Sequence, residues 1–137
     1  MTELLRIAIA VDKSMEAGSV ANAAAVVMGQ LARIDSRVYA DDVRDRDGLL
    51  HAGIRYNTVV LSGRAGHLAG LVEGASAQDL HTVVFTAQGQ ALSNRFEDYR
   101  ALVGGSAAAE LGLCAVGVIG EHEQIRALTK RFSAYRG

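Results

Sequence analysis

Two patterns of apolar residues take turns along this chain. Leu4–Val11, Asn57–Ser62, His81–Thr86 and Leu113–Ile119 are short runs rich in Val, Ile, Leu and Ala. Runs of that length and composition predict strands with both faces covered. Between them lie longer stretches, near Ser19–Arg33, Arg64–Gly74, Ser93–Val103 and Glu121–Tyr135, that predict helices. The first is apolar nearly all round, which predicts cover on more than one side. Its polar members Asn22, Gln30 and Arg33 share one stripe with Val26 and Gly29, a face for solvent, a pocket wall or a partner. The last presents Ile125, Leu128, Phe132 and Tyr135 at helical spacing, with acidic residues at its start and Lys130, Arg131 and Arg136 at its end. Arg37–Val43 and Leu49–Ile54 flank Asp45-Arg-Asp-Gly48, which reads as a hairpin because Asp-Gly favours tight turns. Gly66, Gly70 and Gly74 recur every fourth residue and predict close helix packing. Strands alternating with helices predict an α/β fold, three layers of α/β/α around a mixed, mostly parallel sheet. The expectation is a single domain over residues 1–137.

Composition narrows the classes. Half of the 137 residues are hydrophobic, and 14 Lys and Arg nearly balance 15 Asp and Glu, for a net charge of −1. Nucleic-acid surfaces need clustered cations, so this balance argues against one. Leu4–Val11 is too short to cross a membrane and lacks the flanks of a signal peptide. Cys114 is the one cysteine. It sits in an apolar strand run, so the reading is a core residue in a reducing, cytoplasmic protein.

Familiar catalytic and ligand motifs are missing. There is no Walker loop, no G-x-G-x-x-G and no nucleophile elbow. Asp45-Arg-Asp47-Gly48 has the look of a calcium loop, but Val43 and Ile54 occupy the expected first and closing ligand positions. His51, His67, His81 and His122 are scattered without zinc spacing. No metal or cofactor is expected. What remains is positional. Asp12, Ser62 and Thr86 each end an apolar strand run, and open α/β sheets bind ligands outside the carboxyl ends of their strands. If those strands are parallel neighbours, the three groups converge beside the start of the first helix, near Ser19 and Asn22. Alternatively, Ser62 and Thr86 cap the turns that follow, Asp12 fixes a loop, Ser19 caps its helix, and Asn22 tethers the turn holding Asp12.

The segment Asp12, Met15, Gly18, Ala21 is similar in register to the opening motif of the archaeal and eukaryotic (type 2) peptidyl-tRNA hydrolases. A closer resemblance is to a bacterial family known only as a domain of unknown function with that hydrolase-like fold. It is carried by Ala21-Asn-Ala-Ala-Ala25, Asp45-x-Asp-Gly48 with His51 and Ile54, Val84-Phe-Thr86, Asp98-Tyr99 and Leu111-Gly-Leu-Cys-Ala-Val-Gly117. The resemblance implies the fold and argues against the hydrolase reaction. Ser19 stands where the hydrolases have lysine, Ala23 where they have glutamine and Val26 where they have histidine. Ala87 falls at the catalytic aspartate, and alanine cannot orient or activate water. The segment 90–111 exceeds the hydrolase connection and could lie over the site.

The expected function is a non-hydrolytic small-ligand-binding or regulatory module, with Asp12, Ser19, Asn22, Ser62, Thr86 and Tyr99 as ligand-binding candidates. Phe96 and Asp98 would help Tyr99 close the site. The alternative is a hydrolase of a peptidyl or aminoacyl conjugate with a rearranged site, using Asp12 as base and Ser19 or Thr86 as hydroxyl partner. Expected partners are a small molecule and a second copy of the chain, met through the alanine-rich first helix and the Gly66, Gly70 and Gly74 stripe, since symmetric dimers are the commonest oligomers.

Overall fold

A computed structural model describes residues 4–137. The chain opens with strand β1 (Leu5–Asp12) and helix α1 (Ala17–Ile34), then projects a hairpin of β2 (Val43–Arg44) and β3 (Leu50–His51). It continues through β4 (Asn57–Gly63), α2 (Ala65–Ala77), β5 (Thr82–Thr86) and two short helices, α3 (Ala87–Gln90) and α4 (Phe96–Gly104). A 3₁₀ turn at Ala108–Glu110 precedes β6 (Leu113–Glu121), α5 (His122–Leu128) and β7 (Ser133–Ala134). The five-stranded sheet has the order β5-β6-β1-β4-β7.

Strand alternation sorts side chains to two cores. Leu5, Ile7, Ile9 and Val11 pack with Val20, Ala23, Val27 and Leu31 of α1. Ala8 and Ala10 point the other way, with Val116 and Val118, toward Leu68, Leu71 and Ala75 of α2 and Ile125 of α5. Helices therefore cover both faces of the sheet. On the α1 side, Gly117 permits the closest approach: a Cβ there would lie 2.5 Å from Val27 Cγ1.

Strand direction corrects the expectation of a mostly parallel sheet. Only β1 and β4 pair in parallel; β6 runs against both β1 and β5, and β7 runs against β4. The cause lies in the segment after β5. Its short helices stay at the strand end where β5 finishes and never cross back, as a parallel connection must. β6 consequently starts there and runs in the opposite sense. Because β1, β4 and β5 still point the same way, Asp12, Ser62 and Thr86 share one end of the sheet.

The ending of the chain also differs. Helix α5 stops at Leu128, where Thr129 Oγ1 donates to the Ile125 carbonyl at 2.7 Å. Phe132 then joins the α2-side core while Tyr135 joins the α1 side, and the Tyr135 amide donates to Val60 O at 2.9 Å. Pairing the open edge of β4 outweighs continuation of the helix. Cover of α1 is one-sided: Ala21, Ala25, Val26 and Gly29 are exposed, as are Asn22, Gln30 and Arg33. Of the three spaced glycines only Gly74 is crowded, against Leu128; a Cβ at Gly66 or Gly70 would meet open space.

The hairpin turn forms around Asp45, whose Oδ1 accepts from the amides of Asp47 and Leu49. Gly48 takes φ +85°, a conformation suited to glycine. His51 Nε2 lies 2.7 Å from Asp45 Oδ2, and this contact is the main influence lowering the Asp45 pKa.

Candidate functional site

A cleft of about 730 Å³ lies at the carboxyl end of β1. Strand alternation creates it. Val83 and Phe85 turn toward α1, which leaves Val84 on the opposite face, where it is exposed. Val84 forms one wall with Leu113 and Cys114 at the start of β6; Ala65, Gly66, Ala69, Val72 and Glu73 of α2 form the other. Asp12, Ser14 and Met15 contribute from the β1–α1 turn. Ala87, Ala108, Ala109 and Gly112 close the remaining side. Seven of the fifteen lining residues are alanine or glycine, and their short side chains keep the space open.

Its polar groups are few. Asp12 Oδ1 accepts from the Ser14 amide at 2.9 Å and from Ser14 Oγ at 2.8 Å, which fixes the turn. Asp12 Oδ2 and the exposed Glu73 carboxylate have no protein partner among the described residues. The Cys114 thiol is pushed up to about 11, first by burial and then by the negative charge of Asp12. It is consequently a neutral wall group at physiological pH.

The sequence candidates separate into several hollows. Asp12 lies in the cleft. Ser19 and Asn22 share a shallow groove of about 400 Å³ with Gln90, whose Nε2 donates to Ser19 O at 3.0 Å and Asn22 Oδ1 at 3.1 Å. Thr86 and Tyr99 meet in an apolar hollow of about 230 Å³. There Thr86 Oγ1 accepts from the Gly89 amide at 3.0 Å, capping α3. Gly89 is needed because a Cβ would lie 2.9 Å from both Thr86 Oγ1 and Tyr99 Cε2. Ser62 lines a fourth hollow with Lys13, Ser133 and the residues that follow. Ala87 borders both the cleft and the Ser19–Asn22 groove. Asp98 pairs with Arg95 at 2.9 Å, and Phe96 is exposed beneath the Arg100 guanidinium.

A family model described as a protein of unknown function, DUF2000, matches residues 5–136. The chain belongs to the DUF2000 family. No curated protein matches it. A solved structure of a protein of unknown function from Agrobacterium tumefaciens strain C58 is similar in fold, with a TM-score of 0.84 at 13% identity. That likeness covers 99% of this chain and 100% of the other.

In this DUF2000 domain, sequence reasoning missed Ser14, Glu73 and Cys114 as cleft residues. The spacing Gly66, Ala69, Glu73 was the available signal for the α2 wall: one helix face, small at its start and carboxylate-tipped at its end. The histidines all lie elsewhere. His51 and His81 pair with Asp45 and Asp35, His122 contacts Arg6 and Glu123, and His67 packs edge-on against Phe132. Asp35 is buried beneath Arg37, which donates Nε and Nη2 to its two oxygens. Those bonds, followed by the Arg37 amide and His81, hold Asp35 well below the usual carboxylate range against the opposing effect of burial. Among the described residues, no group of three or more His, Cys, Asp and Glu is placed to hold a metal, and no helix is long and apolar enough to cross a membrane.

Proposed function

We propose that this DUF2000 domain is a non-hydrolytic module that binds a small, largely apolar ligand in the cleft beside Asp12. The observation that carries the reading is the cleft's composition: wide, walled by short apolar side chains, with polar groups confined to Asp12, Ser14 and Glu73. Ligand sites of comparable size share that character. A nucleophile activated by a base would be the mark of hydrolysis. Here no histidine lines the cleft and its thiol is held neutral. We read the scaffold as peptidyl-tRNA hydrolase-like, with Ala87, a cleft residue, at the position of that family's aspartate. Among the described residues no lysine or arginine lines the cleft to meet an RNA phosphate, which also weighs against tRNA as the ligand.

A metabolite screen by thermal shift tests the proposal. The expected result is a ligand that raises the melting temperature of the natural chain but not of Ala69→Phe, whose ring would obstruct the α2 wall of the cleft. A screen that finds none refutes it. One observation favours hydrolysis of an acyl conjugate as a second reading: the short Ser14 hydroxyl bond to Asp12, a carboxylate–hydroxyl pair at the cleft. Its partner is Ser14 rather than Ser19 or Thr86. Cleavage that persists undiminished in a folded Asp12→Ala protein removes that reading. For assembly we propose a homodimer, supported by Val43, Leu49, Leu50 and Ile54, all exposed on the hairpin arm. Light scattering that finds a monomer at high concentration eliminates it.

A further inference from the structure

The charge of the cleft constrains what it can hold. Among the described residues, Asp12 and Glu73 are its two ionisable carboxyl groups, and no lysine, arginine or histidine lines it. Asp12 engages Ser14 through Oδ1 and leaves Oδ2 for a donor. Glu73 is unpaired among the described residues. One field opposes them. Helix α2 opens onto the cleft at Ala65 and Gly66, where no side chain caps it. A helix start is equivalent to about half a positive charge, against two full negative ones, so the local field stays negative. The raised Cys114 pKa has Asp12 as its second cause, so the field of Asp12 reaches the inner wall.

An anionic ligand would meet two unneutralised carboxylates in this space. A neutral hydroxyl could donate to a carboxylate but would leave its charge uncompensated. An ammonium would add charge–charge attraction to the hydrogen bond and offset the negative field. We propose that the ligand is a small primary amine with an apolar body, its ammonium donating to Asp12 Oδ2 and its body lying against Ala69, Val72 and Leu113. This assignment rests on the cleft being the binding site.

Three probes with one body and different heads test it: 2-phenylethylamine, 2-phenylethanol and 3-phenylpropanoate, titrated calorimetrically into the full chain at neutral pH and low salt. The amine is expected to bind about tenfold more tightly than the alcohol, a difference of about 1.4 kcal/mol, with the propanoate weakest. Asp12→Asn keeps an acceptor for Ser14 and removes the charge, so the amine loses its advantage over the alcohol. Glu73→Gln, on an exposed position, reduces the same advantage without depending on the turn. Ala69→Phe abolishes binding of all three. Equal binding of amine and alcohol, or preference for the propanoate, overturns the amine assignment and leaves the cleft as a ligand site. Binding that survives Ala69→Phe, or no binding by any probe at millimolar concentration, overturns both.

Discussion

Replacing Gly117 with alanine tests how closely α1 is seated on the sheet. The added Cβ would stand 2.5 Å from Val27 Cγ1, 3.1 Å from Ile9 Cδ1 and 3.8 Å from Leu31 Cδ2. Carbon atoms in contact prefer about 3.5–4.0 Å, so the first approach is short by roughly an ångström. Val27 cannot easily turn aside. It is buried within α1, and a β-branched side chain in a helix has one strongly preferred rotamer. Overpacking of this kind costs about 1–3 kcal/mol. Burying one more methyl group returns about 0.8 kcal/mol, and restricting the unfolded chain returns about 0.4–1 kcal/mol. The expected net loss for Gly117→Ala is about 1 kcal/mol. Val27→Ala alone should cost about 2–3 kcal/mol, from two lost methyl groups and the space they leave. Together the changes should compensate, because the new methyl enters the vacated volume. The double variant should be at least as stable as Val27→Ala, a favourable coupling of about 1–2 kcal/mol. Urea unfolding followed by circular dichroism measures all four corners of the cycle. Losses that simply add, to within about 0.5 kcal/mol, would refute steric exclusion as the reason for glycine.

Asp35→Asn removes a buried charge held by Arg37 and His81 and should destabilise the fold by about 2–3 kcal/mol. The folded-state pKa of Asp35 lies well below its ordinary value of 3.8, so its stabilisation is complete above that value and is lost progressively as pH falls from there toward the folded-state pKa. Unfolding measured from weakly to strongly acidic conditions should therefore show a steeper decline for the natural chain than for Asp35→Asn; parallel declines would contradict the assignment. Thr86→Val removes the acceptor for the Gly89 amide and should cost about 1 kcal/mol, with Thr86→Ser recovering most of it. Equal stability of all three proteins in denaturant would refute the capping role. With its pKa near 11, the buried Cys114 thiol should react with iodoacetamide at least a hundredfold more slowly than a free cysteine, to roughly the extent that its thiolate is depleted. Prompt labelling of the native chain would show that the wall is not closed around the sulfur.

Local chemistry made part of this architecture readable from the residues. Leu4–Val11 and the alanine-rich helix after it follow from composition, and Asp47-Gly48 marks the hairpin tip where Gly48 takes a positive φ. The exposed stripe through Asn22, Val26 and Arg33 follows from helical spacing. Strand direction does not show in the same way. An apolar run such as Leu113–Ile119 reads alike whether it lies parallel or antiparallel to β1, and only the path of the connection decides. Phe132 and Tyr135 mislead for a related reason. A spacing of three places two residues on one helix face but on opposite faces of a strand, and each ring joins a different core. The site was legible only at Asp12. Glu73 on its own reads as a solvated helix carboxylate, and it gains meaning once Leu113 and Cys114 stand in the same cleft.

The placement of β6 between β1 and β5 bears on how the molecule is made. Leu5 pairs with Glu121, so the centre of the sheet joins segments far apart in the sequence. During synthesis β1 can align with β4 early, but its other edge stays bare until β6 has left the ribosome. Contacts so distant in sequence form slowly, and an unpaired apolar edge invites association with other chains. A polypeptide interrupted before Leu113 would therefore be a sticky fragment with bare strand edges, open to association until β6 arrives.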